Sequence, residues 1–172
     1  MDNKESFLKN LKDQTFCRLY PSKTEGVGVF AIRDIPSGVN PFPCYPHREE
    51  KFVNLSEEEF STLPVSVQNY IRDFFVKDEK GYPVNFSGLN DLNISFYINH
   101  STSPNIEIKD FSENPSDLLN TFLTNKDILE GEELTCDYNT FLGVNNIKEQ
   151  FPFLSQKNEA SVPIHKYEGG EI

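Results

Sequence analysis

NISFYINHSTSPN, residues 93–105, is the most informative stretch of this sequence. Its first half, ISFYI, is a run of β-branched and aromatic residues, which predicts a short strand. Its second half is a polar turn that carries Asn99 and His100 and ends with Pro104 and Asn105. A lone histidine in such a place is a base, a ligand or a hydrogen-bonded core residue, and the last of these is favoured. Residues 93–105 therefore predict a strand that leads into a candidate site.

Two other segments combine an apolar strand pattern with a turn: GVGVFAIRDIPSG at 26–38 and DILEGEELTCDYN at 127–139. The glycine pair of the first segment does not open a helix, so it is not a dinucleotide-binding fingerprint, yet it allows a ligand to approach the backbone closely. Cys136 in the second segment has no neighbour that would lower the pKa of a thiol, and no oxyanion hole is signalled. A cysteine hydrolase is therefore disfavoured.

The rest of the chain predicts further short strands and one helical insertion. Strand patterns occur at YPVNF, NIEIKDF and LLNTFLTN, and residues 3–13 are either a weakly amphipathic helix or a frayed terminus. In residues 56–76, Ser56 and Glu59 have capping-box spacing, and Pro64 suits the first turn of a second helix. The apolar face of that helix predicts core packing. Many short strands around one helical insertion indicate a β-rich α+β fold.

Length and composition limit the class of protein. A chain of 172 residues with 37% hydrophobic content suits one domain. The net charge of −11 and the lack of a Lys/Arg cluster disfavour direct nucleic-acid binding and favour a basic partner. Three cysteines without a CxxC pair predict neither a disulfide framework nor a metal site. No signal sequence or membrane span is apparent, so we expect a cytoplasmic or nuclear protein without membrane contact.

In their order and separation, the segments 26–38, 93–105 and 127–139 together resemble the SET-domain family of protein-lysine methyltransferases. They match its N-terminal glycine motif, its Asn-His-Ser-X-X-Pro-Asn motif and its acidic-Leu-X-X-Asp-Tyr motif, respectively. The closer likeness is to small stand-alone SET proteins that lack post-SET zinc cysteines. The resemblance implies a β-rich α+β fold of several small β-sheets, with a short helical insertion and a C-terminal pseudoknot in which the chain threads under a loop, as few folds do.

The resemblance also implies a division of the chain. It covers residues 15–141 as the SET domain, with the helical insertion at 55–76, and leaves 1–14 as an N-terminal extension and 142–172 as a C-terminal tail. Phe151, Pro152, Phe153 and Leu154 stand where many family members carry the zinc-binding cysteines that close the active site. We expect this aromatic segment or a partner chain to supply that wall, and a homodimer is one way to do so.

The function that the resemblance implies is methyl transfer from S-adenosylmethionine to a lysine of a histone or another basic protein, with S-adenosylhomocysteine as product and no metal. Tyr138 would be the catalytic tyrosine beside the transferred methyl. The cofactor-binding residues implied by the resemblance are Gly26, Val27, Gly28, Tyr97, Asn99, His100 and Tyr138. Tyr45, Tyr82 and Cys136 are candidates for the substrate channel, although packing explains the two tyrosines equally well.

Two residues depart from the family pattern. Phe96 stands where the family commonly has arginine, so we expect an ion pair that supports the cofactor site to be missing. Cys136 stands where many members carry phenylalanine or tyrosine, a position that limits how many methyl groups fit. Because its side chain is smaller, we expect room for di- or trimethyllysine.

Two other interpretations stay open at this point. A catalytically degenerate SET-like module would bind a basic protein partner without turnover, but the retained Tyr138, Asn99 and His100 argue against it. Alternatively, the enzyme methylates a ribosomal or translation-associated protein instead of a histone. The sequence does not distinguish these substrates, because substrate choice depends on groove side chains that have no local signature.

Overall fold

Two β-sheets and three α-helices form the part of the chain that the structure describes. The structure is a computed structural model, and it describes residues 3–43, 52–75, 77–109 and 122–140. The strands are β1 (Cys17–Pro21), β2 (Val27–Ala31), β3 (Phe52–Leu55), β4 (Tyr82–Asn85), β5 (Asn99–His100), β6 (Ile106–Ile108), β7 (Phe122–Thr124) and β8 (Glu133–Cys136). The α-helices are α1 (Asn3–Gln14), α2 (Glu57–Ser61) and α3 (Val65–Phe74). Short 3₁₀ turns lie at Leu89–Asp91, Ile94–Tyr97 and Tyr138–Thr140.

Strand β8 lies at the centre of the larger sheet, although it is the last of the described strands along the chain. The strand order is β1-β2-β8-β6-β7, and β5 pairs with β8 off this path. Strand β2 pairs with β8 in the antiparallel direction, whereas β5 and β6 pair with it in the parallel direction. The three motif segments therefore lie side by side in one mixed sheet. The part of the expected pseudoknot beyond Thr140 lies outside the described residues.

The side chains of β8 alternate between the core and a polar face. Leu134 and Cys136 are fully buried, while Glu133 and Thr135 are half-buried on the other face, as the two-residue period of a strand requires. The buried cluster that holds the larger sheet consists of Val29, Ala31, Ile35, Phe42, Ile98, Ile106, Ile108, Phe122, Ile128, Leu134 and Cys136. Because one face of β8 anchors this core, the other face holds Glu133 in a fixed position.

The helical insertion packs against the smaller sheet, which consists of β3 and β4. Ser56 and Glu59 form the predicted capping box, with the Ser56 side chain accepting from Glu59 N and the Glu59 carboxylate accepting from Ser56 N at 2.9 Å. A second helix, α3, follows Pro64, and its apolar face packs inward as predicted, with Ile71 buried and Val67 and Phe74 half-buried. The buried members of this second cluster are Phe60, Ile71, Phe75 and Tyr82. The insertion thus forms a small core of its own.

One predicted strand is wrong. The run ISFYI, residues 94–98, begins with a 3₁₀ turn over Ile94–Tyr97 instead of a strand. The Asn93 side chain accepts a hydrogen bond from Ser95 N at 2.9 Å, and Phe96 N donates to the Asn93 carbonyl at 3.0 Å. Because these bonds close a local turn, they compete with ladder formation. Only β5, after the turn, joins the sheet.

The other three strand predictions agree with the structure. YPVNF contains β4, NIEIKDF contains β6 and LLNTFLTN contains β7. Residues 3–13 lie in α1, whose side chains Phe7, Leu8 and Leu11 are exposed. Within the described ranges, no helix has the length and apolar character needed to cross a membrane. The prediction of a β-rich α+β fold is confirmed.

Candidate active site

The turn between β1 and β2 is built by Ser22 and the residues after it. The Ser22 hydroxyl accepts hydrogen bonds from the backbone of Thr24 at 2.9 Å and of Glu25 at 3.4 Å, and Ser22 N donates to the Gly26 carbonyl at 3.0 Å. Gly26 has a φ of +47°, which side-chain-bearing residues rarely adopt, and the space beside it is open. Hydrogen bonds within residues 22–26 therefore hold the turn, and no other atoms crowd the space beside Gly26.

The Glu133 carboxylate on β8 joins this turn to β5. Ser22 Oγ donates to its two oxygens at 2.8 and 2.9 Å. Asn99 Nδ2 donates to Glu133 Oε1 at 2.8 Å and to the Glu25 carbonyl at 3.2 Å. A Cβ at Gly28, which is buried on β2, would overlap Glu133 Oε1. One carboxylate thereby brings the three motif segments into contact.

Asn105, the last residue of the segment 93–105, binds the backbone of β8 through its side chain. Its side chain donates through Nδ2 to the Glu133 carbonyl at 2.8 Å and accepts at Oδ1 from Thr135 N at 2.8 Å. Its backbone N donates to the Thr135 carbonyl at 3.2 Å. Asn105 is 7% exposed, so these bonds are made away from water. The Asn105 side-chain amide thus makes hydrogen bonds to the β8 backbone of the kind that a neighbouring strand would make.

Glu133, Ser22 and Asn105 were not among the predicted site residues. The period of β8 predicts that Glu133 points away from the core, and a glycine within a strand, such as Gly28, marks the close approach of another group. These two signals indicate that Glu133 faces away from the core and that Gly28 lies close to another group, but they do not pair the two residues, because the pairing depends on the register of β2 and β8. The side-chain bonds of Ser22 and Asn105 have no local signal, because their partners are distant in the sequence.

Tyr138 follows β8 and packs beside His100. Tyr138 N donates to His100 Nδ1 at 3.2 Å, and the two ring centroids lie 5.4 Å apart. The Tyr138 hydroxyl donates to the Ile98 carbonyl at 2.7 Å. Burial raises the pKa of Tyr138 above its ordinary value, and Cys136 and Glu25 raise it further. Tyr138 is therefore protonated at neutral pH.

His100 is held in its neutral form. Burial lowers the pKa of His100 from its ordinary value of 6.5, while Asp137 and a hydrogen bond to the backbone of Cys136 act in the opposite direction. His100 Nδ1 lies 3.6 Å from Asp137 Oδ1 and accepts the hydrogen bond from Tyr138 N. A protonated ring has no acceptor nitrogen and would lose this bond to Tyr138.

A lowered histidine pKa makes the stability of the fold depend on pH. Because the unfolded chain binds the proton more readily, the contribution of neutral His100 is complete above about pH 6.5 and is lost as the pH falls through the lowered pKa. We expect the Tm of the wild-type protein to fall more steeply between about pH 7 and pH 5 than the Tm of His100→Gln. Thermal unfolding followed by circular dichroism measures both slopes. Identical slopes would show that His100 has the same pKa in the folded and unfolded chain.

Tyr97 and Phe96 join the 3₁₀ turn to the helical insertion. The Tyr97 ring meets Phe74 edge to face at 5.2 Å between centroids, and its pKa is raised by burial and by Tyr70. The Phe96 ring lies 5.3 Å from Phe75 in the second cluster. At the position where the family commonly has arginine, this chain therefore has an apolar contact with the insertion.

The remaining predicted site residues lie in different places. Val27 is exposed at the start of β2. Cys136 is fully buried, and burial raises the pKa of its thiol, which favours an unreactive protonated form. Tyr82 stacks on Phe60 in the second cluster, with 4.1 Å between ring centroids. Tyr45 lies outside the described residues. A role for Tyr45, Tyr82 or Cys136 in a substrate channel stays a prediction.

The polar groups around Gly26 fit the amino-acid end of S-adenosylmethionine. Both bonds of the Asn99 amide that join it to Glu133 and Glu25 use Nδ2, so Oδ1 is the atom that this amide offers to a donor. The Glu133 carboxylate adds negative charge beside it, which suits a protonated amino group. Among the described residues, no group of His, Cys, Asp and Glu side chains is arranged to hold a metal ion.

Comparisons with known proteins place the chain in a family. A family model described as SET domain matches residues 17–139, which include all the strands of the larger sheet and Tyr138. Among solved structures, the chain is similar to a Plasmodium falciparum protein named as a candidate histone methyltransferase, at 16% sequence identity and a TM-score of 0.45. That match covers 75% of this chain and 97% of the other. No curated protein matches the chain.

Proposed function

This chain belongs to the SET-domain family, and on that premise we propose that it transfers a methyl group from S-adenosylmethionine to the side-chain amine of a protein lysine. The observation that carries the proposal is the Tyr138 hydroxyl, which is kept protonated and lies 2.7 Å from the Ile98 carbonyl. Asn99 and His100, directly after Ile98, connect this hydroxyl to the groups that fit the cofactor. The proposed product is S-adenosylhomocysteine.

The chain's own contribution to this reaction is orientation. When bound, S-adenosylmethionine supplies an electrophilic methyl group on a sulfonium. Asn99 Oδ1 and the open backbone at Gly26 would hold the amino-acid end, and the Tyr138 and Ile98 oxygens form a pair of acceptors that suits weak CH···O contacts. Holding two reactants in line recovers about 7–11 kcal/mol of a barrier in well-oriented systems. Positioning of this kind needs no ionised group on Tyr138.

The attacking lysine must first become neutral. Its ordinary pKa is about 10.4, so most of it is protonated at neutral pH. Removal from water lowers the pKa of an amine, because desolvation penalises the charged form. We expect the aromatic ring of Tyr138 to contribute to this desolvation, and the lysine proton to leave to solvent.

A basic protein is the substrate class that the charge of the chain supports. The sequence has 27 acidic and 16 basic residues, which gives a net charge of −11. Close to the site, the exposed Glu25 is near enough to Tyr138 to raise its pKa. A negative potential around a site raises the local concentration of cationic ligands. A lysine-rich segment, such as a histone tail or a ribosomal protein terminus, fits this potential.

Binding of the cofactor product tests the proposal. We expect calorimetric titration with S-adenosylhomocysteine to give a micromolar Kd, and Asn99→Ala to raise that Kd by about 10–100-fold, since it removes both amide bonds and the acceptor. Asn54→Ala is the matched control, because Asn54 is an exposed asparagine on the smaller sheet. A folded wild-type protein that does not bind would contradict the proposal and favour a SET-like module that only binds a basic partner.

A further inference from the structure

The Glu133 carboxylate is the point at which the three segments of the site meet. It accepts hydrogen bonds from two side chains: Asn99 Nδ2 donates to Oε1 at 2.8 Å, and the single proton of the Ser22 hydroxyl is shared between the two carboxylate oxygens, which lie 2.8 and 2.9 Å from Oγ. Ser22 in turn bonds the backbone of Thr24 and Glu25, so the shape of the turn depends on the same carboxylate. Movement of this side chain would therefore change both the turn and the Asn99 amide.

Gly28 shows how closely the carboxylate fits. A Cβ at this position would overlap Glu133 Oε1 and would lie 3.1 Å from Asn99 Nδ2. The backbone of Gly28 has no unusual conformation that requires glycine, since its φ is not positive. The absence of a side chain at Gly28 is therefore explained by the space that the Glu133–Asn99 pair occupies.

We infer that Glu133 is a positioning residue of the cofactor site: its carboxylate holds the Asn99 amide so that Oδ1 accepts from the amino group of the cofactor. The inference rests on the proposed function. An amide that is turned by half a revolution presents its two N–H donors where the acceptor should be. Such donors face a protonated amino group unfavourably. Acceptors on the Nδ2 side select one orientation, and Glu133 Oε1 at 2.8 Å is the closer and the charged one of two, the other being the Glu25 carbonyl at 3.2 Å.

Two ligands separate this role from a purely structural one. S-adenosylhomocysteine carries the amino-acid end, and 5′-methylthioadenosine lacks it but keeps the adenosine and the sulfur. We expect Glu133→Ala to raise the Kd of the first ligand by about tenfold or more, and the Kd of the second by less than about threefold. Glu133→Gln keeps an acceptor oxygen and should restore part of the affinity. Calorimetry measures the Kd of S-adenosylhomocysteine, and NMR titration measures the Kd of 5′-methylthioadenosine.

Gly28→Ala provides an independent perturbation of the same carboxylate without a change in charge. We expect it to weaken S-adenosylhomocysteine binding as Glu133→Ala does. In the double variant, Gly28→Ala should weaken binding less than it does alone, because the carboxylate that its Cβ would overlap is already absent and only the 3.1 Å approach to Asn99 Nδ2 remains. Glu130→Gln is the matched control, since Glu130 is an exposed carboxylate in the turn before β8.

The outcomes distinguish the inference from the proposed function. If the wild-type protein binds and Glu133→Ala binds S-adenosylhomocysteine within twofold of it, or loses both ligands equally, the inference is wrong and the proposed function stands. Additive effects of Gly28→Ala and Glu133→Ala would also overturn it. If Glu133→Ala does not fold, Glu133→Gln and Gly28→Ala decide by the same ligand comparison. A folded wild-type protein that binds neither ligand overturns both proposals.

Discussion

Tyr138→Phe is expected to lower kcat for methyl transfer by about 10²-fold or more, the scale of losing one preorganised polar group from an active site. The Kd of S-adenosylhomocysteine should change by less than about threefold, because the ring remains beside His100. The lost oxygen is the one that bonds the Ile98 carbonyl at 2.7 Å. Single-turnover assays with saturating S-adenosylmethionine measure the chemical step.

Tyr20→Phe is the matched control for this experiment. Tyr20 is 52% exposed on β1, and its ring contacts with Phe30 and Arg18 survive the loss of the hydroxyl. We expect its kcat to equal that of the wild-type protein. If Tyr138→Phe also retains wild-type turnover, the Tyr138 hydroxyl has no part in the reaction. The proposal that the Tyr138 and Ile98 oxygens orient the methyl group would then be wrong.

Asn105→Ala is expected to have the largest effect on stability. It leaves Thr135 N and the Glu133 carbonyl without their side-chain partner inside a buried site. Buried groups without partners cost about 1–3 kcal/mol each, so we expect a loss of about 2–4 kcal/mol of unfolding free energy. For a chain of this size, that lowers the Tm by about 5–15 °C. Chemical denaturation and calorimetry measure the two quantities.

Two further variants show whether the side-chain bonds cause this loss. Asn105→Asp keeps an acceptor for Thr135 N but cannot donate to the Glu133 carbonyl, so it should also be less stable than the wild-type protein. Asn125→Ala removes one exposed bond at 3.2 Å to the Pro104 carbonyl and should change the unfolding free energy by less than about 0.5 kcal/mol. If Asn105→Ala is as stable as Asn125→Ala, the described bonds do not hold β8.

Much of the fold follows from patterns that are local in the sequence. The capping box at Ser56 and Glu59 depends on residues three apart, and the alternation in Glu133–Cys136 depends on neighbours. Local patterns do not show how distant segments come together. The order of the three motif segments supplies this, because it implies the family and hence several small β-sheets with a C-terminal pseudoknot. The family match over residues 17–139 confirms that implication.

The errors and omissions have long-range causes. Residues 94–97 have the composition of a strand, but the Asn93 side chain stabilises a turn, and the Phe96 and Tyr97 rings are then held by the helical insertion. Glu133 was missed because its partners Ser22 and Asn99 are 111 and 34 residues away in the chain. Side-chain bonds of this range follow from strand register, which no segment of the sequence specifies alone.

Peptide mass spectrometry after incubation with S-adenosylmethionine and basic proteins tests the central claim most directly. Core histones and lysine-rich ribosomal proteins are the substrates, and Tyr138→Phe is the inactive control. We predict methyl groups on lysine side chains, with more than one methyl on a single lysine if the small Cys136 leaves the expected room. A folded protein that binds the cofactor but leaves every lysine of both substrate classes unmodified would contradict the claim and favour a module that only binds its basic partner.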